Sequence, residues 1–268
     1  MAPMSPSSHD APASGELDPD HTPSRVTPNM ISWTGLLFAS GAGVCLALGA
    51  GDAPPWEAAH TAAPTSWWPF STGICLALAA AADLLDGAVA RRSGLATKYG
   101  AMLDSTLDRF GDAVIFLGCS VYFAIVGNVT FVLLSGVALA ATVQVSYVKA
   151  RGENLTTGLG MGFWQRGERF GLLLVGAFFG RMPAAIVILA IFPLFTVLLR
   201  ALEAKRKLAG SDALLPTQIA ALRVAPRWER GTVAWWGLCL GTAVATYALP
   251  RLDPFFYGLR DPLGALLR

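Results

Sequence analysis

Charge is scarce in this sequence. Only 14% of its 268 residues are charged, 54% are hydrophobic and the mean hydropathy is +0.51. That balance excludes an ordinary soluble domain, whose surface needs far more charge. Cysteine is also sparse. Cys45, Cys75, Cys119 and Cys239 stand alone in apolar surroundings, with the spacing of neither a disulfide framework nor a zinc site, and read as small core hydrophobes. The three histidines, His9, His21 and His60, fall in tails or loops and receive no chemistry. A net charge of +2 gives no ground for a nucleic-acid partner, and none is expected.

What the chain has instead is uncharged runs of membrane-spanning length. Residues 31–50 carry no charge, 70–82 are apolar and run into Asp83, and 113–148 hold no charged residue, with Gly127-Asn128 as the natural turn between two spans. Residues 170–180 and 182–199 are separated by Arg181 alone, so the first of these is a short or tilted helix. The expected fold is all-α: a polytopic transmembrane helical bundle with six core helices and a candidate seventh span at 232–249. Residues 1–28 are rich in Pro, Ser, Asp and His, lack the features of a signal peptide, and read as a disordered cytoplasmic tail. Residues 29–207 form the membrane domain, and 208–268 a C-terminal extension.

Lys and Arg gather at Arg91, Arg92 and Lys98, from Lys149 to Arg169, and from Arg200 onward, while residues 51–69 have none. The positive-inside rule then puts the N-terminus and these basic segments in the cytoplasm. The protein is expected in the cell membrane, surrounded by the lipid bilayer.

Against this background, carboxylates within the apolar sequence are conspicuous. The pattern reads Asp83-x-x-Asp86-Gly87-x-x-Ala90-Arg91, followed by Gly100-x-x-x-Asp104-x-x-x-Asp108. Charge at membrane depth is costly and marks function by default. At helical pitch, Asp83, Asp86, Gly87 and Ala90 share an arc of roughly 100°, and Gly100, Asp104 and Asp108 form a stripe at i+4 steps. Small residues beside the acids leave room for a ligand or a neighbouring backbone. Hard oxygen donors without nearby His or Cys favour Mg²⁺ or Mn²⁺ over zinc. The competing structural reading pairs these acids with Arg91, Arg92 and Arg109 in a buried network.

This spacing resembles the signature of the CDP-alcohol phosphotransferase family, over roughly residues 27–207. The resemblance implies a six-helix membrane enzyme, usually a homodimer, that displaces CMP from a CDP-linked alcohol with the hydroxyl of a second alcohol and needs Mg²⁺ or Mn²⁺. It implies metal ligands at Asp83, Asp86, Asp104 and Asp108, with Asp108 as general base. It also implies nucleotide contacts at Pro28, Asn29, Gly87, Ala90, Arg91 and Thr97. Arg91 can pair with phosphate or with an acid of the cluster.

Two further segments, Ser146-Tyr147-Val148-Lys149-Ala150-Arg151-Gly152-Glu153 and Gly162-Phe163-Trp164-Gln165-Arg166-Gly167-Glu168-Arg169, look like the prokaryotic phosphatidylinositol-phosphate synthase branch. The second departs from that branch at Gln165 and Gly167. Lys149, Arg169 and Arg200 sit at cytoplasmic helix ends, where they could converge on a phosphate. The expected reaction joins CDP-diacylglycerol to a phosphorylated polyol, foremost inositol phosphate. Glycerol 3-phosphate is the alternative acceptor, and a cation transporter the alternative class.

Overall fold

The computed structural model describes residues 28–59, 61–92, 97–153, 164–209 and 261–267. Among the described residues there are seven α-helices: α1 (Pro28–Gly49), α2 (Trp68–Arg92), α3 (Lys98–Ile125), α4 (Val129–Glu153), α5 (Arg166–Phe178), α6 (Met182–Ala209) and α7 (Pro262–Leu267). No strand occurs among the described residues. Of the expected tail at 1–28 all but Pro28, which begins α1, lies outside them, as does the candidate span at 232–249.

α1, α2, α4 and α6 are long and apolar enough to cross a membrane. α3 is as long as any of them but carries Asp104, Asp108, Arg109 and Asp112 between its start and its midpoint turn. α5 has 13 residues, about 20 Å at 1.5 Å per residue, which is shorter than the bilayer core of about 30 Å. The short fifth helix expected from the sequence is therefore present. The turn expected at Gly127-Asn128 is present too. Gly127 takes φ 73°, and the Asn128 side chain accepts a hydrogen bond from the Phe131 amide, which starts α4.

α1 packs on α2 and α3, α4 lies against α3 and α6, and α5 bridges α2 and α6. The interior is built from Leu46, Leu76, Ile115, Phe116, Phe123, Phe131, Leu173, Ile186 and Leu189, all nearly inaccessible. Leu37, Leu84, Leu117 and Ile125 are more than half exposed. An apolar exterior is what a lipid-facing surface requires, since the backbone bonds are closed within each helix. α1 and α3 meet most closely at Gly43 and Gly118. A Cβ on Gly118 would lie 2.2 Å from the Gly43 carbonyl oxygen, so only glycine permits this crossing.

The bundle has two dissimilar ends. At one, Asn29, the end of α2, the start of α3 and the start of α5 come together. At the other, the loop after α1 is fixed by backbone bonds between Ala53, Pro64 and Ser66, by Tyr122 donating to Asp52 at 2.9 Å, and by buried Glu57 at 4.0 Å from Arg181. Exposed Trp56 and Trp67 meet Phe70 edge-on there, an arrangement suited to a membrane interface. α7 is held at this same end, where Asp261 accepts from the Thr130 amide at 2.9 Å and from its hydroxyl at 2.7 Å.

Candidate active site

The last turns of α2 and the first turns of α3 carry the acids. On α2, Asp83 and Asp86 point inward while Leu84 and Leu85 are largely exposed, as helical periodicity demands. On α3 the i+4 step puts Asp104 and Asp108 on one stripe, extended by Gly111 and Asp112. Carboxylate oxygens of Asp83, Asp104 and Asp108 lie within 4.8 Å of one another. Three converging hard-oxygen donors fit Mg²⁺ or Mn²⁺ by charge and by donor type. Asp86 lines the same cleft but stands outside this trio, because its Oδ2 accepts from Ser32 Oγ of α1 at 2.7 Å.

An arginine reaches into the trio, from a different helix than the competing network reading supposed. Arg166 begins α5; its Nη1 lies 2.5 Å from Asp83 Oδ1 and its Nη2 lies 2.7 Å from Asp108 Oδ1. Arg109 is a looser neighbour, 3.7 Å from Asp108, while Arg91 is exposed at the end of α2. The start of α5 is fixed locally. Glu168 accepts from the backbone amide of Gln165 in a capping interaction, and buried Trp164 packs its ring 5.9 Å from that of Phe192.

Beyond Asp104 and Asp108 opens a second cavity of about 320 Å³. Five cationic side chains line it, Arg109, Lys149, Arg166, Arg169 and Arg200, with Ser146 and Gln165. Lys149, Arg169 and Arg200, expected from the sequence to converge, do so. Arg200 donates to the Val145 carbonyl at 2.6 Å, which ties α6 to α4. Arg169 is 3% exposed; its Nη1 donates to the Trp164 carbonyl at 2.8 Å, and its Nη2 stands 3.9 Å from Asp112. Its Nε and Nη2 find no hydrogen-bond acceptor among the described residues. Buried donors in this state call for a ligand or solvent oxygen.

The residues expected to contact a nucleotide divide into two groups. Thr97 caps α3 by accepting from the Gly100 amide at 2.9 Å, and the open side of Gly100 faces Thr97 Oγ1 and Asn29 Oδ1, so α1 and α3 begin side by side. The Pro28 side chain lies outside the described set. Gly87, Ala90 and Arg91 line neither cleft. The Arg91 guanidinium folds back over Gly87, 3.2 Å from where a Cβ would be, and fills the space that the missing side chain leaves.

Sequence reasoning gave no site role to Ser32, Asp112, Gln165 and Arg166, and named Arg109 only in the competing network of acids and arginines. Asp112 and Arg166 were visible as ionised residues at the edge of apolar runs, the same signal that exposed the four acids. Ser32 and Gln165 carry no such signal.

The bundle opens at one end into a carboxylate cleft beside a cationic cavity, an arrangement with the charge to hold a cation and a phosphate side by side. The chain belongs to the CDP-alcohol phosphatidyltransferase family, which it matches over residues 25–211. It is similar to the phosphatidylinositol phosphate synthase of Cutibacterium acnes, 33% identical over 198 residues that cover 68% of this chain and 87% of the relative. Among solved structures, the Mycobacterium tuberculosis phosphatidylinositol phosphate synthase with CDP-DAG bound has the same fold. Its TM-score is 0.56 at 24% identity, over 67% of this chain and 87% of that one. The same enzyme in complex with manganese and citrate gives a TM-score of 0.54 at 23% identity, over 67% and 82%.

Proposed function

We propose that this enzyme transfers the phosphatidyl group of CDP-diacylglycerol to a hydroxyl of inositol phosphate and releases CMP. The observation that carries the acceptor is Arg169, buried with two unmatched N–H groups in a cavity that shares Asp108 with the carboxylate cleft. A phosphate dianion would satisfy those donors, whereas a neutral polyol would leave the cationic wall uncompensated. The name of the Cutibacterium relative points to the same acceptor.

In this reading Asp83, Asp104 and Asp108 hold Mg²⁺ or Mn²⁺, with Asp86 on the adjoining wall. The ion would neutralise phosphate oxygens and so ease displacement of CMP. Asp108 faces both clefts and takes the proton of the attacking hydroxyl. Lys149, Arg169 and Arg200 orient the acceptor through its phosphate. Asn29 and Thr97 meet the nucleotide where α1 and α3 begin, and Pro28, Gly87, Ala90 and Arg91 keep that assignment from the family resemblance alone.

The site end faces the cytoplasm of the cell membrane in this proposal. Among the described residues Arg181 is the one Lys or Arg at the opposite end, as the positive-inside rule would have it. A homodimer follows from the family resemblance, and residues 29–207 would form its catalytic unit.

Purified enzyme supplied with CDP-diacylglycerol and Mn²⁺ should release CMP with inositol phosphate and not with inositol. Equal rates with the two would reject the cationic cavity as the acceptor site, and preference for glycerol 3-phosphate would replace the acceptor. Arg169→Ala should raise the acceptor KM by about 10- to 150-fold, the range for losing one hydrogen bond to a charged group. The KM for CDP-diacylglycerol should change little, which separates loss of a phosphate contact from collapse of the bundle.

A further inference from the structure

We propose that Arg166 is the exchange partner of the divalent ion: its guanidinium clasps Asp83 and Asp108 until the ion takes the same oxygens, then turns into the cationic cavity to meet phosphate. The inference rests on the proposal that these carboxylates bind metal. Asp83 Oδ1 and Asp108 Oδ1 accept from opposite arms of one guanidinium, at 2.5 and 2.7 Å, and both residues belong to the carboxylate trio. A guanidinium fork across these two carboxylates sets its positive charge where a cation bridging them would sit, so the guanidinium and the ion compete for the place. A guanidinium does not escape the conflict by losing its proton, because arginine stays charged in proteins. It has to move.

The structure gives it somewhere to go. Arg166 lines both the carboxylate cleft and the cationic cavity, so it stands at their junction. Beyond the two carboxylate contacts, its Nε has no hydrogen-bond acceptor among the described residues. Among the described residues nothing lies within 4 Å of a Cβ placed on the following residue, Gly167, so none of their side chains there bars a shift of the first turn of α5. Once released, the guanidinium adds a donor fork to a cavity already lined by Lys149, Arg169 and Arg200. Metal and anion then favour one another, since an effect of one ligand on the affinity for the other is reciprocal. Arg166 on this account is a positioning residue that couples the two sites.

The test is Mn²⁺ binding by the purified full-length enzyme, followed by the paramagnetic resonance signal of free Mn²⁺ without turnover. R166Q should bind Mn²⁺ about 10-fold or more tightly than wild type, since a charge-assisted competitor is gone. Sulfate, as a phosphate stand-in, should tighten Mn²⁺ binding to wild type and leave R166Q unaffected. R166K keeps a cation but loses the fork and should fall between the two; if R166Q does not fold, R166K decides. Arg166 variants that bind Mn²⁺ no more tightly than wild type would overturn the exchange. Asp104→Asn separates the two levels, because Asp104 lies in the trio but is not paired with Arg166. Weaker Mn²⁺ binding in Asp104→Asn together with unchanged binding in R166Q removes only the exchange. Unchanged binding in Asp104→Asn removes the metal site and the exchange with it.

Discussion

Replacing Asp108 by Asn is expected to lower turnover by about 10²- to 10⁴-fold, the usual worth of a general base. The substitution keeps the shape of the side chain and one carbonyl oxygen but removes the group that accepts a proton. Asp108 lies at the junction of the two clefts, within the carboxylate trio and on the wall of the cationic cavity. A carboxylate in that position can serve both the phosphorus under attack and the hydroxyl that attacks it, and Asp104 shares the same two walls. CDP-diacylglycerol should bind more weakly but still measurably, since Asp83 and Asp104 keep their charges and the amide in place of the Asp108 carboxylate keeps one oxygen for the ion. Asp83→Asn should instead weaken Mn²⁺-dependent binding of the nucleotide lipid about as much as it weakens turnover. CMP release and a separate CDP-diacylglycerol binding measurement distinguish the two effects. An Asp108→Asn enzyme with more than about a tenth of wild-type rate would lose the base assignment.

The largest expected effect on stability lies far from the chemistry, at the crossing of α1 and α3. Gly118→Ala would force a methyl group to within 2.2 Å of the Gly43 carbonyl oxygen. The obstacle is backbone, so no rotamer change relieves it, and the two helices have to separate. Overpacking of this kind costs about 1–3 kcal/mol where side chains can adjust. Here we expect at least the top of that range, seen as a fall in Tm in detergent of about 5 °C or more. Gly136→Ala in α4 is the control, because a Cβ there meets nothing within 4 Å among the described residues. Its Tm should hold or rise slightly, since Ala suits a helix better than Gly. Equal Tm values for the two variants would mean that the crossing is looser than the distances imply.

Much of this architecture was legible in the sequence, because the bilayer narrows the options. Apolar length marks a span, and a charge inside one has to be explained. That logic located the helices, the turn at Gly127-Asn128, the short α5 and the acids on α2 and α3. It also indicated that Lys149, Arg169 and Arg200 would meet, since all three lie at helix ends on one face. The logic failed where partners are remote in sequence and local pattern is silent. Arg166 was visible as part of a family-like run, but nothing in its neighbours says that it reaches Asp83 on another helix. The engagement of Asp86 by Ser32 likewise depends on how α1 lies against α2. Gly87 is a different case: the missing side chain suggested room for a ligand, and the i+4 side chain of Arg91 lies over that space in this structure. Gly43 and Gly118 are two of 28 glycines, and only the packing of α1 on α3 reveals that their absence of a side chain is required.

The wall shared by the two clefts has a kinetic and stereochemical consequence. Asp104 and Asp108 face the carboxylate cleft and the cationic cavity alike, so on the proposed function lipid donor and polyol acceptor would sit on either side of the same helical turn. Both have to be present before phosphorus changes hands, and no side chain needs to carry the phosphatidyl group between them. Initial-rate plots for the two substrates should therefore intersect instead of running parallel. A donor made chiral at the transferred phosphorus should give product of inverted configuration.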